Sequence, residues 1–201
     1  DQLAAEAAHI EIDILGRPVG KQDHYAAAFG GFNAIEFQAD KGVKVRPLHN
    51  SADLAGQLFP NLLLLHTGVS RDAGRVLSEQ QESVAEISDD LLVMRGHAQQ
   101  LEELLENGYR PRQFGELLHR TWMSKRSLAN GISNTDIDGW YNRAMDAGAL
   151  GGKICGAGGG GFLLLVVEPE RRTAVRQSLS ELAELRIAFD PRGSRALLPG
   201  A

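Results

Sequence analysis

The chain of 201 residues has one cysteine, Cys155, and only 6% aromatic residues. A single cysteine excludes an internal disulfide and a cysteine-based zinc site, and it fits a reducing compartment such as the cytosol. The longest uninterrupted apolar run covers residues 162–167, far fewer than the ~20 residues of a membrane-spanning helix. The net charge of −5 argues against dedicated binding to nucleic acid or to an anionic membrane.

What the chain does have is an ordinary globular composition and an excess of glycine. Apolar residues make up 43% and charged residues 23%, which is typical of a folded protein with a hydrophobic core. Glycine occurs 23 times, and seven of these residues lie between Gly151 and Gly161. Such clustering indicates a local backbone conformation that other residues cannot adopt.

The hydrophobic pattern predicts an α+β fold in two parts. Residues 1–15 read as an amphipathic helix, and residues 32–47 as a β-hairpin. From residue 60 onward, strands and helices follow in the order of a ferredoxin-like α+β sandwich. We therefore predict domains at 1–48 and 49–201. The elements predicted in the second domain are strand 62–65, a helical seam over 72–107, helices 112–129 and 135–147, strands 152–155 and 162–168, helix 170–185 and a last strand at 186–190.

The densest glycine segment, called here the glycine loop, formally matches the Gly-x-Gly-x-x-Gly dinucleotide motif. That motif requires a helix directly after the glycines, whereas residues 162–167 have the composition of a strand. The loop is therefore either a structural tight turn or a loop approached closely by a ligand, and its glycine content favours the ligand. The glycine loop consists of Gly156, Ala157, Gly158, Gly159, Gly160 and Gly161.

Two carboxylates flank a Gly/Pro turn near the start of the chain. Glu11 lies in the first predicted helix, and Asp23 follows the turn. Phosphoryl transfer uses one carboxylate to hold Mg²⁺ and another to orient or deprotonate the attacking hydroxyl. The spacing of the two acids is unremarkable by itself, and without further motifs a structural role is the favoured interpretation.

Several separated motifs resemble those of the GHMP kinases. Residues 20–33 (GKQDHYAAAFGGFN) and 153–162 (KICGAGGGGF) carry the resemblance, and the heptose kinase branch is the most similar. It extends over about residues 1–198. Further segments typical of that branch occur at 67–71, 118–126, 131–134 and 148–153.

The resemblance implies roles for individual residues. Asp23 corresponds to the aspartate that acts as base toward the sugar hydroxyl. Glu11 corresponds to the acid that helps to hold Mg²⁺, with neighbouring Asp13 as the alternative. The glycine loop corresponds to the third conserved motif of the family, which lines the active site and supports the phosphate-binding loop. Residues assigned more tentatively to the substrate are Lys21, Gly30 and Gly31; for Lys21 a surface role is equally compatible with the sequence.

The resemblance also implies a fold and a reaction. The fold would be a ferredoxin-like GHMP kinase C-terminal domain after the end of a ribosomal S5 domain 2-like N-terminal domain. The reaction would be an ATP- and Mg²⁺-dependent phosphorylation of a sugar, foremost O1 of D-glycero-D-manno-heptose 7-phosphate. A fucose or galactose kinase and a non-catalytic binding or regulatory module are the alternatives. The expected partners are ATP and a sugar phosphate in the cytoplasm, without nucleic acid or membrane, and homodimer formation is left open.

One family motif is absent. GHMP kinases bind the nucleotide phosphates with a Pro-x-x-x-Gly-Leu-Gly-Ser-Ser loop at a helix N-terminus, and the chain contains no such sequence. The resemblance therefore implies that the chain corresponds to the C-terminal two-thirds of such an enzyme. We expect the chain alone to be inactive as a kinase.

Basic residues concentrate between positions 108 and 130. A solvent-exposed helix face is the favoured interpretation of this cluster, and binding of the sugar phosphate group is the alternative. The residues concerned are Arg110, Arg112, His119, Arg120, Lys125 and Arg126.

Overall fold

The computed structural model describes residues 1–69, 87–129 and 131–196, and its backbone forms two compact units. The first unit comprises Asp1–Ala55 and the segment that starts at Ala188, and the second is Gly56–Ile187. The division into domains 1–48 and 49–201 stays a prediction. The two units have boundaries of their own, because the chain after residue 187 returns to the first unit.

The first unit begins with helix α1 (Gln2–Ala8), which continues as a π-helix (His9–Ile14). The helix predicted over residues 1–15 is therefore present over residues 2–14, but its second half is a π-helix, which has more residues per turn than an α-helix. Its large apolar side chains Leu3, Ile10 and Ile14 are exposed, whereas Ala4 and Ala8 are buried. Helix α2 (Gln22–Phe29) follows the Gly/Pro turn.

The predicted β-hairpin is confirmed. Strand β1 (Asn33–Phe37) pairs antiparallel with strand β2 (Val43–Pro47). In the connecting turn the backbone N–H of Gly42 donates to the Asp40 carboxylate at 2.9 Å, and Lys41 has a positive φ of 69°. Tyr25 of α2 is buried, and its ring contacts Phe37 edge-on at 6.3 Å.

The segment after residue 188 lies against the C-terminal end of α2. The N–H of Gly31 donates to the carbonyl of Asp190 at 2.8 Å, and the Ser194 hydroxyl donates to the carbonyl of Ala27 at 3.1 Å. The rings of Phe32 and Phe189 stack at 5.1 Å. The last strand, predicted near residues 186–190, lies instead at residues 183–185, and Asp190 bonds to the end of α2.

The second unit is a four-stranded antiparallel sheet with helices. The strand order is β4-β5-β3-β6, which is the order of a ferredoxin-like sandwich and confirms the predicted fold class. Helix α3 (Ser51–Leu58) precedes the sheet. The elements of the unit are β3 (Leu62–His66), α4 (Ser88–Glu106), α5 (Pro111–Arg126), α6 (Thr135–Asp146), β4 (Gly151–Ile154), β5 (Phe162–Val166), α7 (Arg172–Ser178) and β6 (Ala183–Leu185), with short 3₁₀ turns at Phe59–Asn61 and Pro169–Arg171.

The core lies where the central strands meet the helices. Leu63 of β3 faces Leu165 of β5 in register, and both side chains are fully buried. Trp122 of α5 belongs to the same core cluster at 0% exposure. Burial of one such large apolar side chain stabilises the fold by roughly 1.5–3 kcal/mol.

Helix α5 lies unusually close to strand β4. A β-carbon on Gly151 would overlap the carbonyl oxygen of Gly115, and one on Gly115 would lie 2.5 Å from the β-carbon of Leu150. From Gly115 to Lys125 the helix rises by ~15 Å. From Gly151 to Gly156 the strand advances by a similar ~16 Å. The C-terminal end of α5 therefore reaches the glycine loop.

The last helix and strand differ from the prediction. Helix α7 ends at Ser178 instead of continuing to residue 185, because residues 183–185 pair with β3 as strand β6. Glu184 of β6 accepts hydrogen bonds from Arg176 at 2.6 and 2.7 Å, and Arg172 contacts it at 3.4 Å. The bond from Arg176 holds the pKa of Glu184 below its usual value.

The predicted helical seam over residues 72–107 can be compared with the structure from residue 87 onward, where α4 lies. Residues 70–86 are outside the described part.

In the ranges that the structure describes, no helix combines the length and the apolar character needed to cross a membrane.

Candidate functional site

The glycine loop joins β4 to β5, two neighbouring antiparallel strands, as the sequence predicted. All five of its glycines have positive φ, from +71° at Gly156 to +159° at Gly160. L-residues rarely adopt such values, so the glycine content has a backbone cause.

Two other segments hold the loop in place. The backbone N–H and the hydroxyl of Thr67 donate to the carbonyl of Gly161 at 2.9 and 3.0 Å. The N–H of Gly161 donates to the carbonyl of Val69, and that of Gly159 donates to the carbonyl of Ile132. The fold thus brings together parts of three motifs that the sequence showed separately, at residues 67–69, 131–134 and 153–162.

Residues 133 and 134 begin helix α6 and fix the segment next to the loop. The side chain of Asn134 accepts hydrogen bonds from the N–H groups of Asp136 and Ile137, each at 3.0 Å. The Ser133 hydroxyl donates to Asp138 at 2.6 Å, and Arg126 donates to the same carboxylate at 2.7 Å. This capping arrangement ties the end of α5 to the start of α6.

Lys125, in the last turn of α5, contacts the loop directly. Its Nζ donates to the carbonyl of Gly156 at 2.5 Å. Burial lowers the pKa of Lys125 to about 8, and the positive charge of Lys153 on β4 lowers it further. Burial also raises the pKa of the Cys155 thiol, so this side chain stays protonated at neutral pH.

Other basic residues of the 108–130 cluster have partners within the fold. His119 bonds to the Tyr141 hydroxyl at 2.8 Å, and its ring stacks on that of Tyr141. Arg126 forms the ion pair with Asp138 at 2.7 Å. The sequence did not distinguish these residues from Lys125, because each of them is distant in the chain from the partner that it contacts.

In the first unit, Asp23 lies in the first turn of α2 and is exposed. Among the described residues its carboxylate has no hydrogen-bond or ion-pair partner. Its neighbour His24 contacts Glu11 of the π-helix, with Nε2 and Oε2 2.8 Å apart, and Arg17 lies 3.5 Å from the other oxygen of Glu11. Asp13 pairs with His9 instead, and this hydrogen bond lowers the pKa of Asp13.

Glu11 and Asp13 were the two candidates for a metal-binding acid. Of the two, Glu11 is the one that contacts α2, the helix that carries Asp23. Within residues 1–69, 87–129 and 131–196, no three or more His, Cys, Asp or Glu side chains come together as a metal-binding group. At any one place in the described ranges, a metal ion would therefore find at most two such side chains.

The three residues assigned tentatively to the substrate lie at the two ends of α2. Lys21 precedes the helix and lines a pocket of about 430 Å³ with Lys41 and Phe37, among others. Gly30 and Gly31 follow the helix, where Gly30 packs against Gly193 and Gly31 donates to Asp190. The two glycines thus have a structural role, and their contact with a substrate stays a prediction.

Comparisons with known proteins agree on one family. Residues 98–185 match the family described as GHMP kinases C terminal. The chain is 34% identical over 174 residues to the D-glycero-alpha-D-manno-heptose 7-phosphate kinase of Campylobacter jejuni, covering 85% of this chain and 51% of that protein. It is 30% identical over 175 residues to the L-fucokinase/L-fucose-1-P guanylyltransferase of Bacteroides fragilis, covering 82% of this chain and 18% of that protein.

A solved structure is similar over nearly the whole chain. The crystal structure of a D-glycero-D-manno-heptose 1-phosphate kinase from Bacteroides thetaiotaomicron superposes with a TM-score of 0.65 at 28% identity. The match covers 94% of this chain and 52% of that one. The chain thus spans about half the length of the two heptose phosphate kinases that it resembles.

Proposed function

Because the chain belongs to the GHMP kinase family, we propose that its protein transfers the γ-phosphoryl group of ATP to a sugar hydroxyl, with O1 of D-glycero-D-manno-heptose 7-phosphate as the acceptor. The observation that carries the proposal is the 34% identity to a heptose 7-phosphate kinase over 85% of the chain. This share exceeds either compact unit, so the similarity includes residues of both.

Asp23 would act as the base. Its exposed carboxylate, which has no partner among the described residues, is free to accept a proton from the attacking hydroxyl. As the sugar oxygen bonds to the γ-phosphorus, the proton would pass to Asp23 and ADP would leave. The short helix α2 would hold the carboxylate in place, because Tyr25 anchors that helix on the hairpin.

Glu11 is the residue that would hold Mg²⁺. This ion usually binds one or two carboxylates together with phosphate oxygens, so a single protein carboxylate suffices. Glu11 already contacts His24 and Arg17, but a carboxylate has about four lone-pair positions, which leaves it able to bind an ion. When bound, Mg²⁺ would neutralise part of the negative charge on the phosphate oxygens.

The glycine loop would lie against the phosphate groups of a substrate. Its backbone is exposed at Gly156 and free of β-carbons at five of six positions, so a ligand can approach the main chain closely. ATP and a sugar phosphate as substrates favour a cytoplasmic location for the reaction. A second candidate, fucose as acceptor, is supported by the 30% identity to the fucokinase of Bacteroides fragilis.

The test is a kinase assay of the full-length protein with heptose 7-phosphate, L-fucose and galactose, in parallel with the variants Asp23→Asn and Asp13→Asn. We expect the highest kcat/KM with heptose 7-phosphate. Asp23→Asn should lower kcat by roughly 10²–10⁴ and leave the KM for ATP nearly unchanged, because an amide cannot accept the proton. The control Asp13→Asn should retain activity.

Two outcomes would contradict the proposal. Wild-type turnover by Asp23→Asn would show that Asp23 is not the base. Absence of ATP-dependent phosphorylation of all three sugars by the full-length protein would favour a non-catalytic module.

A further inference from the structure

Two ammonium groups lie near the glycine loop without a carboxylate to balance them. The positive charge of Lys153 disfavours the charged form of Lys125. Among the described residues neither forms an ion pair. Both interact electrostatically with the thiol of Cys155, which carries no charge when protonated. Like charges that are held together in a partly buried place, with no counter-ion from the protein, are typical of a site that receives an anion.

The backbone explains why the two side chains meet there. Lys125 is at the C-terminal end of α5, which Gly115 and Gly151 hold against β4, and Lys153 is on β4 itself, two residues before Cys155. Lys125 donates one of its three N–H groups to the carbonyl of Gly156, which leaves two donors for a ligand. The position of the cation is thus fixed by the fold before any ligand binds.

The loop adds donors of its own. Among the described residues, the backbone N–H groups of Gly156, Ala157 and Gly160 have no hydrogen-bond acceptor. Gly160 is buried, and a buried N–H without an acceptor is rare in proteins. An anion with several oxygen atoms would satisfy such donors together with the lysines.

We propose that Lys125, Lys153 and the glycine loop bind the phosphate monoester that the sugar acceptor already carries. This inference rests on the proposed function, and it assigns the residues that distinguish a sugar phosphate from a free sugar. A phosphate monoester has a charge of about −1.5 to −2 at pH 7, which two lysines match. The negative end of the α5 dipole amounts to only about half a charge, so the two lysines outweigh it.

The phosphates of a nucleotide could bind to the same lysines and backbone N–H groups. The experiment therefore distinguishes a site for the sugar phosphate from a site for ATP. The variants Lys125→Met and Lys153→Met remove one positive charge each, and Arg120→Met removes one from the exposed face of the same helix α5. Inorganic phosphate is titrated into each variant of the chain, and the backbone amide signals of the loop glycines are followed by NMR. In the full-length protein, KM is measured for heptose 7-phosphate and for ATP.

We expect each lysine variant to bind inorganic phosphate at least ~10-fold more weakly, and the Arg120 variant to differ by less than ~2-fold. The KM for heptose 7-phosphate should rise at least ~10-fold while that for ATP stays within ~2-fold. Lys125→Arg, which keeps the charge, should restore most of the affinity. Thermal melting checks folding, and Met at position 125 should be tolerated because it removes a costly buried charge.

Unchanged phosphate binding in both lysine variants would overturn the proposal. A rise in the KM for ATP instead of that for the sugar phosphate would also overturn it, because the site would then hold the nucleotide. Phosphate binding that depends on Lys125 supports the site even if no sugar is phosphorylated. In that case the proposed function is what fails.

Discussion

Gly30 and Gly193 approach each other so closely that neither position has room for a β-carbon. A β-carbon on Gly30 would overlap the backbone nitrogen of Gly193, and one on Gly193 would lie 2.6 Å from the nitrogen of Gly30. Both residues have positive φ, at +62° and +59°. Through this contact a segment from the end of the chain holds the C-terminus of α2, whose first turn carries Asp23.

Gly30→Ala is therefore expected to destabilise the protein by about 2–4 kcal/mol, because backbone strain and steric overlap add. Gly16→Ala is the matched control, since Gly16 has a similar φ of +63° but nothing within 4 Å of its would-be β-carbon. Its cost should be only about 1 kcal/mol, from the backbone alone. Urea unfolding measures both. Equal losses would show that the contact with Gly193 contributes nothing.

The same comparison can be made within the glycine loop. A β-carbon on Gly160 would overlap the carbonyl of Val69, whereas the one on Gly161 has open space around it at a φ of +83°. Gly160→Ala should lower the melting temperature more than Gly161→Ala by several degrees, which corresponds to about 1–3 kcal/mol. A larger loss for Gly161→Ala would contradict the packing of the loop against Val69.

Phosphate binding should weaken as the pH rises through about 8. Burial lowers the pKa of Lys125 to that value, so its ammonium group is charged at pH 7 and mostly neutral at pH 9. Phosphate itself is already a dianion over most of this range, and therefore its own titration cannot cause the loss. The affinity for inorganic phosphate is measured between pH 7 and 9.5. In Lys125→Met the affinity should be low and nearly independent of pH.

Bound phosphate in turn favours the charged form of Lys125. The midpoint of the binding curve should therefore lie above the pKa of the free protein. A decline that persists unchanged in Lys125→Met would assign the pH dependence to a group other than Lys125.

The helix cap at Asn134 can be tested separately from any ligand. Asn134→Ala removes the acceptor for two backbone N–H groups, those of Asp136 and Ile137, and should cost about 1 kcal/mol. Asn134→Asp keeps an acceptor at the N-terminus of α6 and should be nearly neutral. Chemical denaturation of both variants measures the difference, and equal destabilisation would argue against the capping role.

Local chemistry determined what the sequence could predict. The strand–glycine–strand order around residues 151–166 was predictable because an apolar β-type run follows the glycines directly. The end of α7 was not, since residues 179–185 continue a helical pattern and only their pairing with β3 ends it. Strand pairing between distant residues therefore ended the helix, although the local sequence favours its continuation.

The candidate site was predictable from the sequence only in part, for the same reason. The sequence identified a basic helix but could not separate Lys125 from Arg126, its neighbour. The two side chains differ because Arg126 meets Asp138 on α6, whereas Lys125 meets the carbonyl of Gly156. Those partners depend on how closely α5 packs on β4, which rests on Gly115 and has no signature in a single sequence.

Strand β6 affects how copies of this sheet could associate. It is a sheet edge of only three residues, all exposed, and the middle one is Glu184, bound to two arginines of α7. A short edge with fixed charges offers an approaching strand few unpaired backbone groups, and it would require that strand to displace or accommodate an ion-pair cluster. Growth of the sheet across this edge is thus opposed by charge as well as by length, and this protects the apolar core strand β3 behind it from pairing with other chains.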